Sequence, residues 1–394
     1  MLARKKTNTV GEQGVAFAAK PVAPVVVAAL FVGALAACNR DRDTAQAAPS
    51  SSGGTPAVSL SPAGPLPAAP AARMKVSVES SAMGTRLNFV AFTSASADEA
   101  KTRAAIDRAI DEIRRLEAIM TTWRDDSELS RVNQNAGKAP VKISAETAKV
   151  IDESLWISEK SKGVFDITFE VMHGLWRFDQ DADPHPPRAA EVEAKKKLID
   201  YRHIVRDKKE ETVFLDKAGM KMSLGGIAKG FAIDRAAEVL IAEGVVDFLA
   251  QAGGDLYGHG KKPDGAPWIA GVRDPRGPDG SYFAEMAVEG HAFSTAGDYE
   301  RSYVIEGKRY HHIIDPRTGY PATASRSVTI WAKDALTADA LDDAVFILGP
   351  KEGLALVESI DDAGAVIVDA NNRVWISRRL EGKVRTLRPP TDGI

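Results

Sequence analysis

An α+β fold is what this 394-residue sequence predicts, from two observations. Short segments of alternating apolar and polar residues recur from Lys75-Val-Ser-Val-Glu79 to Ser327-Val-Thr-Ile-Trp331 and read as strands. Among them lie segments with apolar residues three and four apart, the spacing of helices with one buried face.

Composition narrows the class. Hydrophobic residues make up 44% and charged residues 27% of the chain, ordinary values for a folded protein with ample core. The net charge of −3 leaves no basic footprint, which speaks against nucleic acid as a partner. Cys38 is the only cysteine, so no internal disulfide can form.

In chain order, Arg4, Lys5, Lys6 and Lys20 precede an apolar run that ends Leu35-Ala-Ala-Cys38. A basic leader, a short apolar core and small residues before a cut form a secretory signal. With cysteine at the cut it resembles a bacterial lipoprotein signal, whose Cys becomes the lipidated first residue. The expectation is a signal over residues 1–37 and a membrane-anchored protein of the cell envelope, facing the periplasm. Residues 38–73 are rich in Ala, Pro, Ser and Gly and predict a linker reaching on the order of 30 Å. The folded region is then residues 74–394.

That region opens with two predicted strands, Lys75 to Glu79 and Leu87 to Phe92, around the turn Ala82-Met-Gly-Thr85. Ser96-Ala-Asp-Glu99 has the form of a capping box, and Ile106, Ile110, Ile113, Leu116 and Met120 continue it as a helix. Residues 120–133 are polar and carry Trp123; a second helix is predicted from Ser144 to Lys160, stopped by Gly163. Residues 181–188, with three prolines, predict a surface loop. An apolar run from Val213 to Leu224 ends at Gly225 and Gly226, and Ala228, Phe231, Ala232, Arg235 and Val239 mark the next helix. Phe248 to Asp255, Trp268 to Pro275, Phe293 to Tyr299, Arg309 to Pro316 and Ser327 to Trp331 predict short strands and turns. Leu336 to Leu348 completes the series as a helix.

Three features carry chemistry. Gly225 and Gly226 before a helix start let backbone N–H groups approach an anion, with Lys229 adding a cation in the first turn. The alternative is a plain turn into a helix with an exposed lysine. Asp339, Asp342 and Asp343 fall at i, i+3 and i+4, which suits a hard cation such as Mg²⁺ or Ca²⁺ or, equally, a solvated acidic face. His312, on an apolar strand before an Asp-Pro turn, is either structural or a proton acceptor. Together they suit metal-assisted chemistry on a phosphate compound.

Taken in order, these segments resemble the ApbE family of FAD:protein FMN transferases. The resemblance rests on Met-Gly-Thr (83–85), Asp-Ser-Glu-Leu-Ser-Arg-Val-Asn (126–133), Phe-Asp-Ile-Thr (165–168) and Gly-Gly-Ile-Ala-Lys-Gly-Phe-Ala-Ile-Asp (225–234). Gly-Gly-Asp (253–255), His-Ile-Ile-Asp-Pro-Arg-Thr-Gly (312–319) and Ala-Asp-Ala-Leu (338–341) complete it. It implies mixed, mainly antiparallel sheets with helices packed around them, and Mg²⁺-dependent transfer of FMN from FAD to a Thr or Ser of an extracytoplasmic redox subunit, releasing AMP. It places FAD contacts at Met83, Trp123, Phe165, Asp166, Ser223, Lys229 and Ile313. It places the metal on the Gly226 carbonyl and on Asp339, Asp342 and Asp343, and makes His312 the base. This chain departs from the common pattern at Trp123 (often Tyr), Ser223 (often Asp), Asp343 (often Thr) and Ala296 (often Ser). The competing functions are an FAD pyrophosphatase and a flavin-binding lipoprotein without chemistry.

Overall fold

The computed structural model describes residues 73–178 and 184–393. The expected leader, Cys38, the linker up to residue 72 and residues 181–183 of the Pro-rich loop lie outside them.

Local chemistry sets the first hairpin, Lys75–Ala82 and Thr85–Phe92. Met83 and Gly84 turn it with φ of 52° and 69°. Two successive left-handed residues give a turn whose twist matches that of the strands it joins. Thr85–Phe92 then pairs with Phe248–Ala252, and the sheet runs on through Asp255–His259, His291–Gly297, Ser325–Ala332 and Gly364–Asp369 to Val374–Ile376. These eight strands are antiparallel throughout, and the α+β class stands.

Six α-helices accompany the sheets among the described residues: α1 Glu99–Met120, α2 Glu128–Gln134, α3 Ala145–Lys160, α4 Ala189–Lys196, α5 Ala228–Ala242 and α6 Ala335–Glu358. Helix α1 buries the five apolar residues its spacing selects. Its cap is Asp98, which accepts the Lys101 N–H at 2.9 Å, and not the expected Ser96, whose hydroxyl turns to Ser94 and Gly244 instead. Helix α2 arises in the polar stretch for which the sequence predicts no element. Ser127 caps it, and Glu128 Oε2 ties it to α3 by accepting from the Ser144 N–H and from the Ser144 and Thr147 hydroxyls. Only the start of the run 213–224 is strand, as part of Thr212–Leu215. Beyond it the Asn133 amide clamps Met222, accepting its N–H at 2.8 Å and donating to its carbonyl at 2.9 Å. Helix α6 is broken at Gly349, whose φ of 73° precedes Pro350.

Strand alternation divides the large sheet between two cores. Phe89, Phe248, Ala250 and Ile367 face α1, α5 and α6, whereas Val90, Leu249, Phe293 and Val366 face a three-stranded sheet of Trp268–Arg273, Tyr282–Val288 and Arg385–Thr386. Helix α5 packs between α1 and α6, and α6 lies across His291–Gly297 and Ser325–Ala332. No helix among the described residues is long and apolar enough to cross a membrane.

Candidate active site

The site lies where α5 meets α6 above the sheet. Two contacts force that meeting. Asp234 on α5 accepts the Ala335 and Leu336 N–H groups at 2.8 and 2.9 Å, fixing the start of α6. Gly230 lets the helices touch, because a Cβ there would lie 2.1 Å from the Ala335 carbonyl oxygen. With α6 so close, the Gly230 N–H donates to Asp339 Oδ2 at 2.8 Å.

Asp339, Asp342 and Asp255 present carboxylate oxygens that lie within 4.8 Å of one another. Asp339 is 1% and Asp342 5% exposed, so the α6 carboxylates are no solvated face. Lys229 sets its ammonium 3.1 Å from Asp255 Oδ2 and 3.1 Å from Asp339 Oδ1. Lys229 is therefore ion-paired, which sets aside the alternative of an exposed lysine in a plain turn. The Ser294 hydroxyl bridges Asp255 Oδ1 and Asp342 Oδ2. Sequence reasoning missed Asp255 and Ser294 as site residues, although Asp255 stands in the Gly-Gly-Asp motif. Only the register that sets Leu256 opposite Phe293 brings the two together.

Asp343 sits one step around α6, where a Cβ on Gly226 would come within 3.0 Å of its Oδ2 and 3.8 Å of Phe165. The four expected metal residues thus divide between two adjoining groups. Asp339 and Asp342 join Asp255, while Asp343 faces Gly226 and Phe165.

Charge in this region is unbalanced. Burial, reinforced by Asp343, Asp339 and Asp255, holds the Asp342 carboxyl well above the usual range. Burial also raises Asp255 and Asp343 to about 6, against the pull of Lys229. Burial opposes the Lys229 charge, but Asp255, Asp339 and Asp342 outweigh it and raise its pKa. Carboxylate oxygens in this excess over ammonium groups are a donor set suited to a hard divalent cation, so the residues fit the Mg²⁺ expectation.

His312 lies in the bend between Lys308–His311 and Ile314–Asp315, not on a continuous strand as its apolar neighbours predict. The cause is the turn that follows: Asp315 accepts the Arg317 guanidinium and the Thr318 and Gly319 N–H groups, and Trp176 donates to the Gly319 carbonyl at 2.9 Å. The His312 N–H donates to Arg301 at 3.2 Å, while its ring Nδ1 is buried with no hydrogen-bond partner. Burial, then Arg301, His311 and Lys229, push its pKa well below the ordinary imidazole value, so the ring is neutral at neutral pH. Its neighbour His311 donates Nε2–H to the Ala322 carbonyl at 2.8 Å and accepts the Ile313 N–H, a structural arrangement.

The remaining expected contacts surround these groups in different ways. Trp123 is 75% exposed, with its ring against the edge of His173 at 5.2 Å. Phe165 and Ile313 are buried, and Met83 occupies the strained hairpin turn. Both Asp166 oxygens are used, one by the Thr168 N–H and hydroxyl and the other by the Tyr201 N–H, so this carboxylate holds the backbone of its own loop. The Ser223 hydroxyl accepts the Gly225 N–H at 3.2 Å.

Comparisons with known proteins place the chain in a family. Residues 83–367 match the sequence profile of the ApbE family. A Treponema pallidum protein named FAD:protein FMN transferase is 33% identical over 304 residues, spanning 73% of this chain and 83% of that one. A Klebsiella pneumoniae protein of the same name is 31% identical over 317 residues, spanning 79% and 89%. The crystal structure of an ApbE protein from Thermotoga maritima superposes with a TM-score of 0.71 at 31% identity, covering 79% of this chain and 99% of that one. The flavin transferase ApbE of Vibrio cholerae gives 0.69 at 27% identity, covering 79% and 100%.

Proposed function

The chain belongs to the ApbE family and is an FAD:protein FMN transferase, and on that premise we propose that it transfers FMN to a Thr or Ser hydroxyl of an acceptor redox subunit, with Mg²⁺ bound and AMP released. The observation that carries this reading is His312: a neutral imidazole with an unpartnered buried nitrogen, close enough to Lys229 to feel its charge. A protein hydroxyl is a poor nucleophile at neutral pH and needs such a base.

In this reading the acceptor oxygen attacks the phosphorus on the FMN side of the FAD pyrophosphate. Its bond to the bridging oxygen breaks, AMP leaves, and His312 takes the hydroxyl proton. Lys229 steadies the nucleotide phosphates by charge. Asp339, Asp342 and Asp343, with the Gly226 carbonyl, would hold Mg²⁺. Once bound, the ion supplies a Lewis acid that neutralises charge on the pyrophosphate. Trp123 offers an exposed aromatic face to the flavin. Met83, Phe165, Ser223 and Ile313 line the FAD site, and Asp166 shapes it by fixing the adjoining backbone. The Leu-Ala-Ala-Cys38 signal supports a lipid anchor that holds the enzyme at the membrane, facing the periplasm.

The test is to incubate the purified protein with FAD, Mg²⁺ and a candidate acceptor. Expected are AMP and an acceptor whose mass gain and flavin fluorescence survive denaturation, in equal amounts. AMP with free FMN and no labelled acceptor would make the protein a pyrophosphatase. FAD binding without AMP would make it a carrier.

A further inference from the structure

We propose that Asp255 is an additional ligand of the cation site and that Lys229 is the cation's built-in competitor for Asp255 and Asp339. The inference rests on the metal reading above and deepens it. Lys229 then sets how tightly the cation is held, and cation binding frees Lys229 for the nucleotide phosphates.

The argument is an accounting of oxygen atoms. Asp339 Oδ2 is engaged by the Gly230 N–H at 2.8 Å. Its other oxygen, Oδ1, is the one Lys229 approaches at 3.1 Å. Asp255 is 2% exposed, and its Oδ2 is paired with the same ammonium at 3.1 Å. The oxygens Lys229 holds are therefore those left for a metal on these two residues.

The other side of the cluster shows the same shortage of positive charge. Ser294 Oγ lies within hydrogen-bond distance of both Asp255 Oδ1 and Asp342 Oδ2. One hydroxyl carries one proton and can satisfy only one of them. The three carboxylates supply ligand atoms within 4.8 Å of one another, a span that one cation with metal–oxygen distances of about 2.1–2.5 Å can bridge. Cation and ammonium cannot both occupy the same oxygens, so each must weaken the other. Reciprocal coupling of this kind is a property of binding free energies.

The experiment titrates the purified protein with Mn²⁺, reading free ion by electron paramagnetic resonance without FAD. Lys229→Met, which keeps most of the unbranched chain and removes the charge, should bind Mn²⁺ roughly tenfold more tightly than wild type. Asp255→Asn should bind it roughly tenfold more weakly. In the unmutated protein, Mn²⁺ should raise acetylation of Lys229, followed by mass spectrometry, because the amine leaves its ion pairs; this arm does not depend on a variant folding. Wild-type binding with no tightening in Lys229→Met, no weakening in Asp255→Asn, or no rise in Lys229 labelling would overturn the competition and leave the metal reading intact. Absence of Mn²⁺ binding in every form would overturn both.

Discussion

Gly230→Ala tests the helix contact on which the site is built. The new Cβ would lie 2.1 Å from the Ala335 carbonyl oxygen, 2.6 Å from its carbon and 2.7 Å from Asp339 Cβ. Two of these neighbours are backbone, so no rotamer change relieves them. Ordinary contact begins near ~3.5 Å, and α6 must retreat from α5 by about 1 Å. Overpacking of this kind costs about 1–3 kcal/mol, against a helix-propensity gain of about 1 kcal/mol for Ala over Gly. The retreat also stretches the 2.8 Å bond from the Gly230 N–H to Asp339 and the 3.1 Å contact to Lys229. Urea unfolding and Mn²⁺ titration should therefore both respond, with stability lowered by up to ~2 kcal/mol and the cation bound differently. A Gly230→Ala protein that is more stable than wild type and titrates identically would refute the packing argument.

Asp343 bears on pH, because its folded carboxyl is raised to about 6 by burial, with Lys229 pulling the other way. The unfolded group ionises near ~3.9, so this residue lowers stability as pH rises from about 4 to about 6, and the loss then levels off. Asp343→Asn should melt above wild type near neutral pH without divalent ions, the gap closing at about pH 4; a variant melting below wild type near neutrality would contradict this sign. For the anchor, Cys38→Ala should abolish incorporation of labelled fatty acid into the mature chain, and undiminished labelling would remove Cys38 from that role.

Much of the fold was legible because its signals are local. The turn at Met83 and Gly84, the buried stripe of α1 and the start of α3 next to Ser144 each follow from a few adjacent residues. Helix α2 was not, since only seven residues form it and its partners, Ser144 and Thr147, lie at the start of α3. The site divides in the same way. Asp339 and Asp342 share a helix face, and spacing alone brings them together. Asp255 and Ser294 are 39 residues apart and meet through sheet register, while α6 reaches them because Gly230 and Asp234 dock it on α5. Spacing could not show that Lys229 would be paired with Asp255, or that both Asp166 oxygens would be consumed by backbone and hydroxyl donors.

The central claim is that this site moves FMN to a protein hydroxyl with His312 as the base. It is tested most directly by measuring FAD affinity and acceptor labelling side by side for wild type and His312→Ala. In the proposed reading Lys229 and the metal bind the phosphates without help from the imidazole. FAD affinity should therefore stay within a few-fold while covalent FMN on the acceptor falls by roughly 10²–10⁴-fold. Any loss of wild-type labelling as pH is lowered through the usual imidazole range should be relieved by added Mg²⁺, because burial keeps His312 unprotonated well below that range while Asp255 and Asp343, raised to about 6, take up protons within it. Parallel loss of FAD binding and labelling in His312→Ala, or labelling that survives the substitution, would contradict the account.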